Sequence, residues 1–405
     1  MNAHEGTNKM ARILVVGKYY PPFRGGIESY TGQIAEALAL KHEVTAVVFN
    51  HRKGRADELE ASGVRVVRAR RIGILSGQPL SLDIFRALHP GWFDLVHFQS
   101  PNPLSALALL LRLPRKAPPK LIITHHMEIH QRGLLRLLAS AVNRRLMKRA
   151  AAIIMTSAQN LDQAADIPKS APIEVIPLGV NPADYQIDDA LREEAGIWRR
   201  EIAGEAPTVA FLGRHARYKG LQILVEALVH CPTVHALIAG DGPYRSEAEA
   251  LARKLNVMER AHFLGEIAPR EKLRLFAAAD VFAMPSTETT EAFGISQVEA
   301  MAARVPVVAS AIPTGVMDVA RHEETALLCE PGSARSLAGA VQRLLGDDIL
   351  RARLTANAFE QVQERFNSAV VRQSTVALFD RLAAQRAEPP PRRAMRRMEI
   401  APHAS

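Results

Sequence analysis

Two glutamates, Glu291 and Glu299, are separated by seven residues in a segment that joins a loop to the start of a helix. Between them the chain passes through Gly294 into a helical pattern of apolar residues. The first N–H groups of a helix lack intrahelical partners, and the helix dipole favours negative charge there. One carboxylate before such a helix and one a turn inside it could hold a polyol whose phosphate lies on the N-terminus. The spacing therefore suits a nucleotide-sugar, and two solvated glutamates in an ordinary loop and helix are the alternative.

Two cations, Arg214 and Lys219, lie upstream in a glycine-containing turn. The apolar run 208–212 predicts a buried strand before the turn, and 221–230 predicts a helix after it. Arginine offers phosphate a bidentate fork and lysine offers a point charge. A leaving nucleoside diphosphate gains charge as its bond breaks, so fixed cations stabilise the transition state more than the ground state. We therefore predict that Arg214 and Lys219 are catalytic.

Two glycine pairs follow predicted strands and complete the phosphate-binding pattern. Gly240 and Gly242 follow a strand-like run, and Gly25 and Gly26 precede the first helix. Glycine lets the backbone approach a diphosphate closely and leaves N–H groups free to bind it. We predict that all four bind the donor, with a plain tight turn as the alternative at the first pair.

These motifs together resemble those of the retaining glycosyltransferases of family 4 (glycosyl transferases group 1), which assemble bacterial surface polysaccharides among other glycans. The resemblance covers roughly residues 11–379 and rests on the motifs Gly25-Gly26-Ile27-Glu28, Gly213-Arg214, Lys219-Gly220, Gly240-Asp241-Gly242-Pro243 and Glu299-Ala300-Met301-Ala302 with Glu291 before it. It implies an α/β fold of the GT-B type. In that fold two Rossmann-like domains face each other across a cleft, and a C-terminal helix crosses back to the first domain.

A chain of 405 residues is too long for one typical core, and its strands alternate with helices, which favours two α/β domains with parallel sheets. We predict an acceptor-binding Rossmann-like domain over 10–182 and a nucleotide-sugar-binding one over 183–366. The stretch 183–206 is polar and predicts a linker with a short helix. A closing helix is expected over 367–386, and a disordered, proline- and arginine-containing tail over 387–405.

Polar clusters follow two predicted strands of the first half, where ligands of open parallel sheets bind. In the family, a histidine at the position of His126 lies close to the reacting sugar and hydrogen-bonds its 6-hydroxyl. The resemblance therefore implies a catalytic-site role for His126 without making it a base. His125 departs from the family's usual single histidine and leaves the register between the two open. We expect His97 to face the acceptor, with a structural histidine as the alternative, and Glu128 to orient His126 or bind acceptor hydroxyls.

The resemblance assigns the donor contacts of the second half to Ile267, Phe293, Gly294, Ile295 and Glu299, with Glu291 on the sugar hydroxyls. Glu299 would accept hydrogen bonds from the ribose, and Ile267 would contact the base through its backbone. The backbone of Gly294 and Ile295 would lie near the diphosphate. Retaining chemistry is likewise implied by the resemblance alone, since no nucleophile can be recognised. A front-face route, in which the leaving phosphate helps to deprotonate the acceptor, fits the absence of a committed base.

No Asp-x-Asp motif occurs in a plausible loop, so we expect no metal and no other cofactor. Neither Cys231 nor Cys329 has a cysteine or histidine neighbour at zinc spacing, and both are expected to be buried, reduced thiols. The first ten residues lack an apolar segment, so no signal peptide is expected. No apolar run approaches the ~20 residues of a spanning helix. We expect a cytoplasmic protein, with a peripheral position on the inner membrane face left open.

Lysine and arginine exceed aspartate and glutamate by nine. Part of the excess lies in 132–149, where arginines and Lys148 alternate with leucines in a helical pattern. Such a helix can lie on an anionic membrane surface, and the alternative is the solvated face of a core-packing helix. Nucleic acid is not an expected partner, because no recognised binding motif accompanies the charge and only 5% of residues are aromatic.

The expected partners are a nucleotide-sugar donor and a glycan or lipid-linked acceptor. The opening Lys18–Glu28 resembles hexosyltransferases, many of them mannosyltransferases, and favours GDP-mannose mildly over UDP-sugars. A non-catalytic sugar-nucleotide-binding protein on the same fold is the competing hypothesis. A dehydrogenase is not expected, since no Gly-x-Gly-x-x-Gly follows the first strand with an acidic residue after the second.

Overall fold

The computed structural model describes residues 10–23, 26–52, 54–75, 78–126, 134–161, 164 and 166–385, with the side chains of 134–136 excepted. Gly25 and Glu128, predicted to bind donor and acceptor, lie outside the described residues, as does the tail 387–405. The chain divides into two compact units. The first unit consists of Met1–Met155, Ala164–Ile176 and Arg372–Ser405, and the second of Thr156–Gln163 and Pro177–Val371.

The first unit is built on an eight-stranded sheet in the order β10-β9-β8-β7-β1-β2-β4-β3. Its strands are β1 (Arg12–Val16), β2 (Glu43–Phe49), β3 (Ala56–Leu59), β4 (Arg65–Ala69), β7 (Leu95–Ser100), β8 (Lys120–His125), β9 (Ala150–Met155) and β10 (Ile173–Val175), and β5 (Gly73–Leu75) with β6 (Gln78–Leu80) forms a separate hairpin. All neighbours in the sheet are parallel except β3, which runs antiparallel at the edge. Chain order reverses between β1 and β7, which makes their carboxyl ends the expected ligand crevice.

Four helices follow these strands: α1 (Gly26–Ala39), α2 (Asp83–Ala87), α3 (Pro103–Arg112) and α4 (Leu134–Met147). Helix α3 shows why such helices begin where they do. Pro103 occupies the first helical position, and the Asn102 side chain accepts a hydrogen bond from the Ser105 N–H at 3.3 Å. Proline at that position loses no helical hydrogen bond, and the cap satisfies an otherwise unpaired donor.

The second unit contains a six-stranded sheet in the order β13-β12-β11-β14-β15-β16, parallel throughout. Its strands are β11 (Thr208–Leu212), β12 (His235–Ala239), β13 (Ala261–Gly265), β14 (Val281–Met284), β15 (Val307–Ser310) and β16 (Leu327–Cys329). Its helices are α5 (Asp189–Ala203), α6 (Leu221–His230), α7 (Arg245–Lys254), α8 (Pro269–Ala278), α9 (Ile295–Ala302), α10 (Gly315–Val319), α11 (Ala334–Gly346) and α12 (Asp348–Glu364). The chain order reverses between β11 and β14, so the carboxyl ends of these two strands form the crevice of this sheet.

The last helix, α13 (Ser368–Ala384), returns to the first unit from Arg372 onward, as the fold class predicts. Phe379 is fully buried and lies edge-on to His97, with ring centroids 5.1 Å apart. Asp380 accepts hydrogen bonds from Lys41 at 3.0 Å and pairs with His42 at 2.8 Å. The helix is therefore part of the core of the first unit.

Candidate active site

Lys219 and Glu291 form an ion pair at the β11–β14 crevice of the second unit. The side chains of Lys219 and Glu291 are only 17% and 8% exposed, and the Ser286 hydroxyl donates to the same carboxylate at 3.2 Å. Burial by itself lowers the pKa of Lys219, but the Glu291 carboxylate outweighs it and the pKa is raised. Lys219 is therefore a protonated cation, held in place by the glutamate that the sequence assigns to the donor sugar.

Gly220 explains how the chain brings Lys219 to this position. It follows the short helical turn Arg217–Lys219 and begins α6 with a φ of 72°. A Cβ at Gly220 would overlap the carbonyl of Pro285, directly after β14. Both the left-handed backbone and the close approach require glycine, and the approach sets the Lys219 loop against the end of β14.

Arg214 lies in the same loop but in a different state. Its side chain is exposed, and among the described residues it has neither a hydrogen-bond partner nor an ion pair for its guanidinium. Five N–H donors on a fixed planar fork are thus free to bind phosphate. The second unit therefore offers one paired and one unpaired cation.

Gly240 and Gly242 allow the loop after β12 to pack closely against the loop that carries Arg214. Both have positive φ angles, 113° and 156°, and a Cβ on either would collide with the backbone of the neighbouring loop. The His215 N–H donates to the Asp241 carbonyl at 2.8 Å, which fastens the two loops together. The structure therefore gives these glycines a packing role, and their predicted donor contact remains a prediction.

Helix α9 begins at Ile295, shortly after Glu291 in the chain. Gly294 caps it with a φ of 71°, and a Cβ there would collide with the sulfur of Met284. Phe293 is buried with its ring 5.8 Å from that of Phe366, whereas Ile295 is only partly buried. Phe293 therefore anchors the loop in the core, and the first N–H groups of α9 are the part suited to a diphosphate.

Glu299, one turn inside α9, belongs to a cluster that we call the Glu299 cluster, made of Tyr185, Lys272 and Glu299. Its carboxylate accepts hydrogen bonds from the Tyr185 hydroxyl and the Lys272 ammonium, both at 2.7 Å. The ammonium also lies 4.9 Å from the centre of the Tyr185 ring. Burial, and then the neighbouring carboxylate of Glu299, raises the pKa of Tyr185, so its hydroxyl remains a donor.

A pocket of about 390 Å³ opens beside the Glu299 cluster. It is lined by Asp184, Tyr185, Pro269, Arg270, Lys272 and Leu273. Ile267, the residue predicted to contact the base, is partly buried two residues before α8, which supplies most of this lining. The geometry thus presents a pocket with charged and apolar lining next to the carboxylate that the resemblance assigns to the ribose.

In the first unit, the predicted histidines converge at the carboxyl ends of β7 and β8. His126 Nε2 lies 2.6 Å from Gln99 Oε1, and the amide nitrogen of Gln99 lies 3.2 Å from His97 Nε2. The Thr124 hydroxyl lies 2.8 Å from the same His97 nitrogen. We call His97, Gln99 and His126 the buried histidine chain, because all three side chains are less than 10% exposed.

His97 has no exposed surface through which to contact an acceptor, so its position favours the structural alternative. His125 is also buried, and its Nδ1 has no described hydrogen-bond partner. Burial lowers the pKa of His97 and His126 to about 3 and that of His125 to about 4. All three rings are therefore neutral at physiological pH. Gly26, the described member of the first glycine pair, begins α1 with open space around it, which fits close approach by a ligand.

The sequence is similar to known protein families over both units. Residues 24–184 match the family described as Glycosyltransferase Family 4, and residues 193–361 match the family described as Glycosyl transferases group 1. A GDP-mannose-dependent alpha-(1-6)-phosphatidylinositol monomannoside mannosyltransferase of Mycobacterium tuberculosis is 32% identical over 355 residues, which are 84% of this chain and 90% of the relative. The chain belongs to glycosyltransferase family 4. The family and this relative make the protein a hexosyltransferase.

More distant relatives of this glycosyltransferase agree. The O-antigen chain mannosyltransferase C of Escherichia coli is 23% identical over 92% of this chain and 98% of its own. Among solved structures, sucrose-phosphate synthase from Thermosynechococcus elongatus has a TM-score of 0.77 at 24% identity, covering 92% of this chain and 99% of that one. Anabaena HepE in complex with UDP has a TM-score of 0.73 at 23% identity, covering 91% and 100%. These two likenesses show the GT-B fold.

Two residues of the glycosyltransferase that the sequence did not single out belong to these clusters, Tyr185 and Lys272, and the sequence placed Gln99 in a polar cluster at a strand end without giving it a role. Lys272 precedes Glu299 by 27 residues and Tyr185 precedes it by 114, so no local spacing connects them. Gln99 had a usable signal, because it alternates with His97 along β7 and therefore shares its face of the sheet. Among the described residues, no group of three or more histidine, cysteine, aspartate or glutamate side chains is arranged to hold a metal ion.

Proposed function

We propose that this glycosyltransferase moves a hexose from a nucleotide-diphospho-sugar, GDP-mannose in preference to UDP-sugars, to a glycan or lipid-linked acceptor with retention at the anomeric carbon. The observation that carries the proposal is the buried Lys219–Glu291 pair beside the N-terminus of α9. This arrangement would put an anion site next to a carboxylate suited to sugar hydroxyls. The mannosyltransferase relatives support the donor and the lipid-linked acceptor.

The charges of the second unit suit the leaving group. As the bond between the anomeric carbon and the diphosphate oxygen breaks, the electron pair passes to that oxygen. Arg214, Lys219 and the dipole of α9 would stabilise this charge. The acceptor oxygen forms the new bond on the same face of the sugar, and its proton passes to the leaving phosphate. We propose that the two cations and the helix do this work without a metal.

The pocket beside the Glu299 cluster suits the nucleoside. The Glu299 carboxylate, fixed by the Tyr185 and Lys272 donors, would present its remaining lone pairs to ribose hydroxyls. The lining of α8 and Tyr185 offers apolar and cationic surface for a base. The presence of Arg214 and the intact Lys219–Glu291 pair argues against the non-catalytic alternative, which loss of any of them would favour.

A membrane surface is the proposed location of the acceptor. None of the helices in the described ranges has the length and apolar content needed to cross a bilayer. Helix α4 exposes Leu137 and Leu138 together with Arg144 and Arg145. This combination supports a peripheral contact with anionic lipid on the cytoplasmic face.

Hydrolysis of a nucleotide-sugar panel by the purified protein tests the donor. GDP-mannose is expected to be turned over fastest, and GDP is expected to inhibit more strongly than UDP. A variant with Arg214→Met, which removes an exposed guanidinium without leaving a buried charge unpaired, serves as the catalytic control. Preference for a UDP-sugar would overturn the donor, and turnover of none of the panel would overturn the proposed function.

A further inference from the structure

The buried histidine chain runs through a single amide. Gln99 lies near the carboxyl end of β7, is 2% exposed, and shares its face of the sheet with His97. Its two amide ends contact two different rings, His126 at 2.6 Å and His97 at 3.2 Å. A buried amide in this position must match its donor and acceptor ends to both neighbours.

The amide restricts which nitrogens carry protons. Its oxygen only accepts, so the facing Nε2 of His126 must carry a hydrogen. Its nitrogen only donates, so the facing Nε2 of His97 must present a lone pair. The Thr124 hydroxyl, 2.8 Å from the same nitrogen of His97, can share this single lone pair as a second donor.

His126 does not become an imidazolium with hydrogen on both Nε2 and Nδ1. Burial, and then the neighbouring His125 and His97, lowers its pKa to about 3, so a second proton is not held at neutral pH. The Tyr30 ring, edge-on at 5.4 Å, is the other described titratable group packed against it. A neutral imidazole with hydrogen on Nε2 has its lone pair on Nδ1, and this Nδ1 makes no hydrogen bond to any residue that the structure describes.

We infer that Gln99 is a positioning residue, which holds His126 as the Nε2–H tautomer and leaves Nδ1 as a hydrogen-bond acceptor for a hydroxyl of the substrate. His126 then orients a hydroxyl rather than donating a proton to it. The identity of that hydroxyl as one of the donor sugar rests on the proposed function. The tautomer of His126 and its dependence on Gln99 do not rest on the proposed function.

Nitrogen NMR of the full-length protein labelled with ¹⁵N-histidine tests the tautomer directly. His126, assigned by comparison with the His126→Asn variant, is expected as the Nε2–H form, and Gln99→Leu is expected to change its tautomer populations. Ser100→Ala is the matched control, because Ser100 is equally buried on β7 but its hydroxyl donates to Asn143 at 3.2 Å. A proton on Nδ1 of His126, or an unchanged spectrum in Gln99→Leu, would overturn the inference even if turnover of nucleotide-sugars were fully confirmed.

Kinetics separate positioning from a structural role. Gln99→Leu is expected to lower kcat/KM about tenfold or more in the wild type but less than about twofold in a His126→Asn background, because the two act through one ring. Equal losses in both backgrounds would refute action through His126.

Gln99→Glu keeps the acceptor for Nε2 and adds a negative charge, which is expected to raise the pKa of His126. The acidic limb of the pH–activity profile of this variant is therefore expected to lie at a higher pH than that of the wild type. An acidic limb at the same pH in both would also count against the inference.

Discussion

Arg214 and Lys219 carry the same charge but are prepared differently for a diphosphate. Lys219 is held by Glu291 in a largely buried pair, whereas Arg214 is exposed. Removing the ammonium of Lys219 would leave a buried carboxylate unpaired, which destabilises proteins as well as impairing function. Arg214 is therefore the better residue on which to measure the effect of charge on the reaction itself.

The first prediction uses that difference. Arg214→Met is expected to lower kcat about 100-fold, since fixed donors of this kind stabilise developing charge by a few kcal/mol. The thermal midpoint should stay unchanged because the guanidinium has no described partner. Arg217→Met is the matched control, since Arg217 is exposed in the same loop. Similar kinetic losses in both variants would contradict a specific role for Arg214.

The second prediction concerns metal. If Arg214, Lys219 and the α9 dipole stabilise the leaving diphosphate, turnover should survive excess EDTA with less than about a twofold change. Rates are compared before chelation and after readdition of Mg²⁺ or Mn²⁺. Activity that vanishes with EDTA and returns with either ion would show that a cation does this work.

The sequence identifies charged site residues better than their partners. Glu291 and Lys219 stand in motifs, and the structure joins them in one ion pair. The Tyr185 and Lys272 donors to Glu299 come from distant parts of the chain, and only tertiary folding brings them together. His97 shows the converse, because a histidine at a strand end looks the same in sequence whether it faces a ligand or the core.

At the scale of elements, glycines set the distances between loops of the second unit. Gly220 is the strictest case, because its left-handed φ and its contact with Pro285 both exclude a side chain. Gly339, in the middle of α11, has nothing within 4 Å of the position of a Cβ. The two positions therefore respond oppositely to the same substitution.

The third prediction follows from this pair. Gly220→Ala is expected to destabilise the protein by about 3 kcal/mol or more. The methyl group would force the Pro285 backbone to move, and the left-handed φ adds strain. Gly339→Ala is expected to stabilise it by up to about 1 kcal/mol through helix propensity. Urea or thermal unfolding measures both. Equal stability of the two variants would mean that the Gly220 loop tolerates a side chain and does not position Lys219.

The fourth prediction concerns the ends of β7 and β8, where His97, His125 and His126 are buried as neutral rings. Their folded pKa values of about 3, 4 and 3 lie below the unfolded value near 6.5, so the unfolded chain binds more protons as pH falls. Stability should therefore be full above pH 6.5 and decline below it, by up to about 4 kcal/mol per pH unit for three protons.

Unfolding midpoints between pH 7 and 5 measure this slope before most carboxylates titrate. His125→Gln should reduce this slope by about one third, because one of the three protons taken up on unfolding is removed. His230→Gln, at an exposed histidine at the end of α6, is the control for substitution of a histidine outside this cluster. A wild-type stability that is flat over this range would contradict neutral burial of the three rings.

The sequence also predicts most elements but not all of them. Strand β11 is a continuous apolar run, and its predicted bounds, 208–212, agree with the structure. Helix α5 lies in the stretch predicted as linker with a short helix, although it has 15 residues. Its charged composition concealed a helical spacing of Leu191, Ala195, Trp198 and Ile202. The β5–β6 hairpin was not predicted, because three-residue strands carry too little periodicity.

For the whole molecule, the excess of basic residues is the property that predicts behaviour at a surface. Helix α4 exposes Arg144 and Arg145, and Lys148 and Arg149, which follow it directly, are exposed as well. The one described ion pair among them, from Arg144 to Asp166 at 3.5 Å, is too exposed on the arginine side to neutralise the group. The face therefore keeps its positive charge.

The fifth prediction tests this face. Replacing these four residues with Gln should weaken binding to anionic vesicles by about 4 kcal/mol, at about 1 kcal/mol per charge near the surface. The control replaces four exposed cations of the second unit, Arg253, Lys254, Arg335 and Arg353, with an equal change in net charge. Turnover of a soluble acceptor analogue should be unchanged in both. Equal sedimentation of both variants and the wild type with neutral and anionic vesicles would leave α4 a solvated face.

The return of α13 to the first unit also determines when that unit can finish folding during synthesis. Its strands and first helices leave the ribosome early, but Phe379 and the rest of the returning helix follow the main segment of the second unit, Pro177–Val371. At 5–20 residues per second, that segment takes roughly 10 to 40 s to translate. During this interval the nascent first unit lacks the helix that covers His97, and it is then most open to chaperones. The second unit, whose main segment is continuous, can complete its fold first.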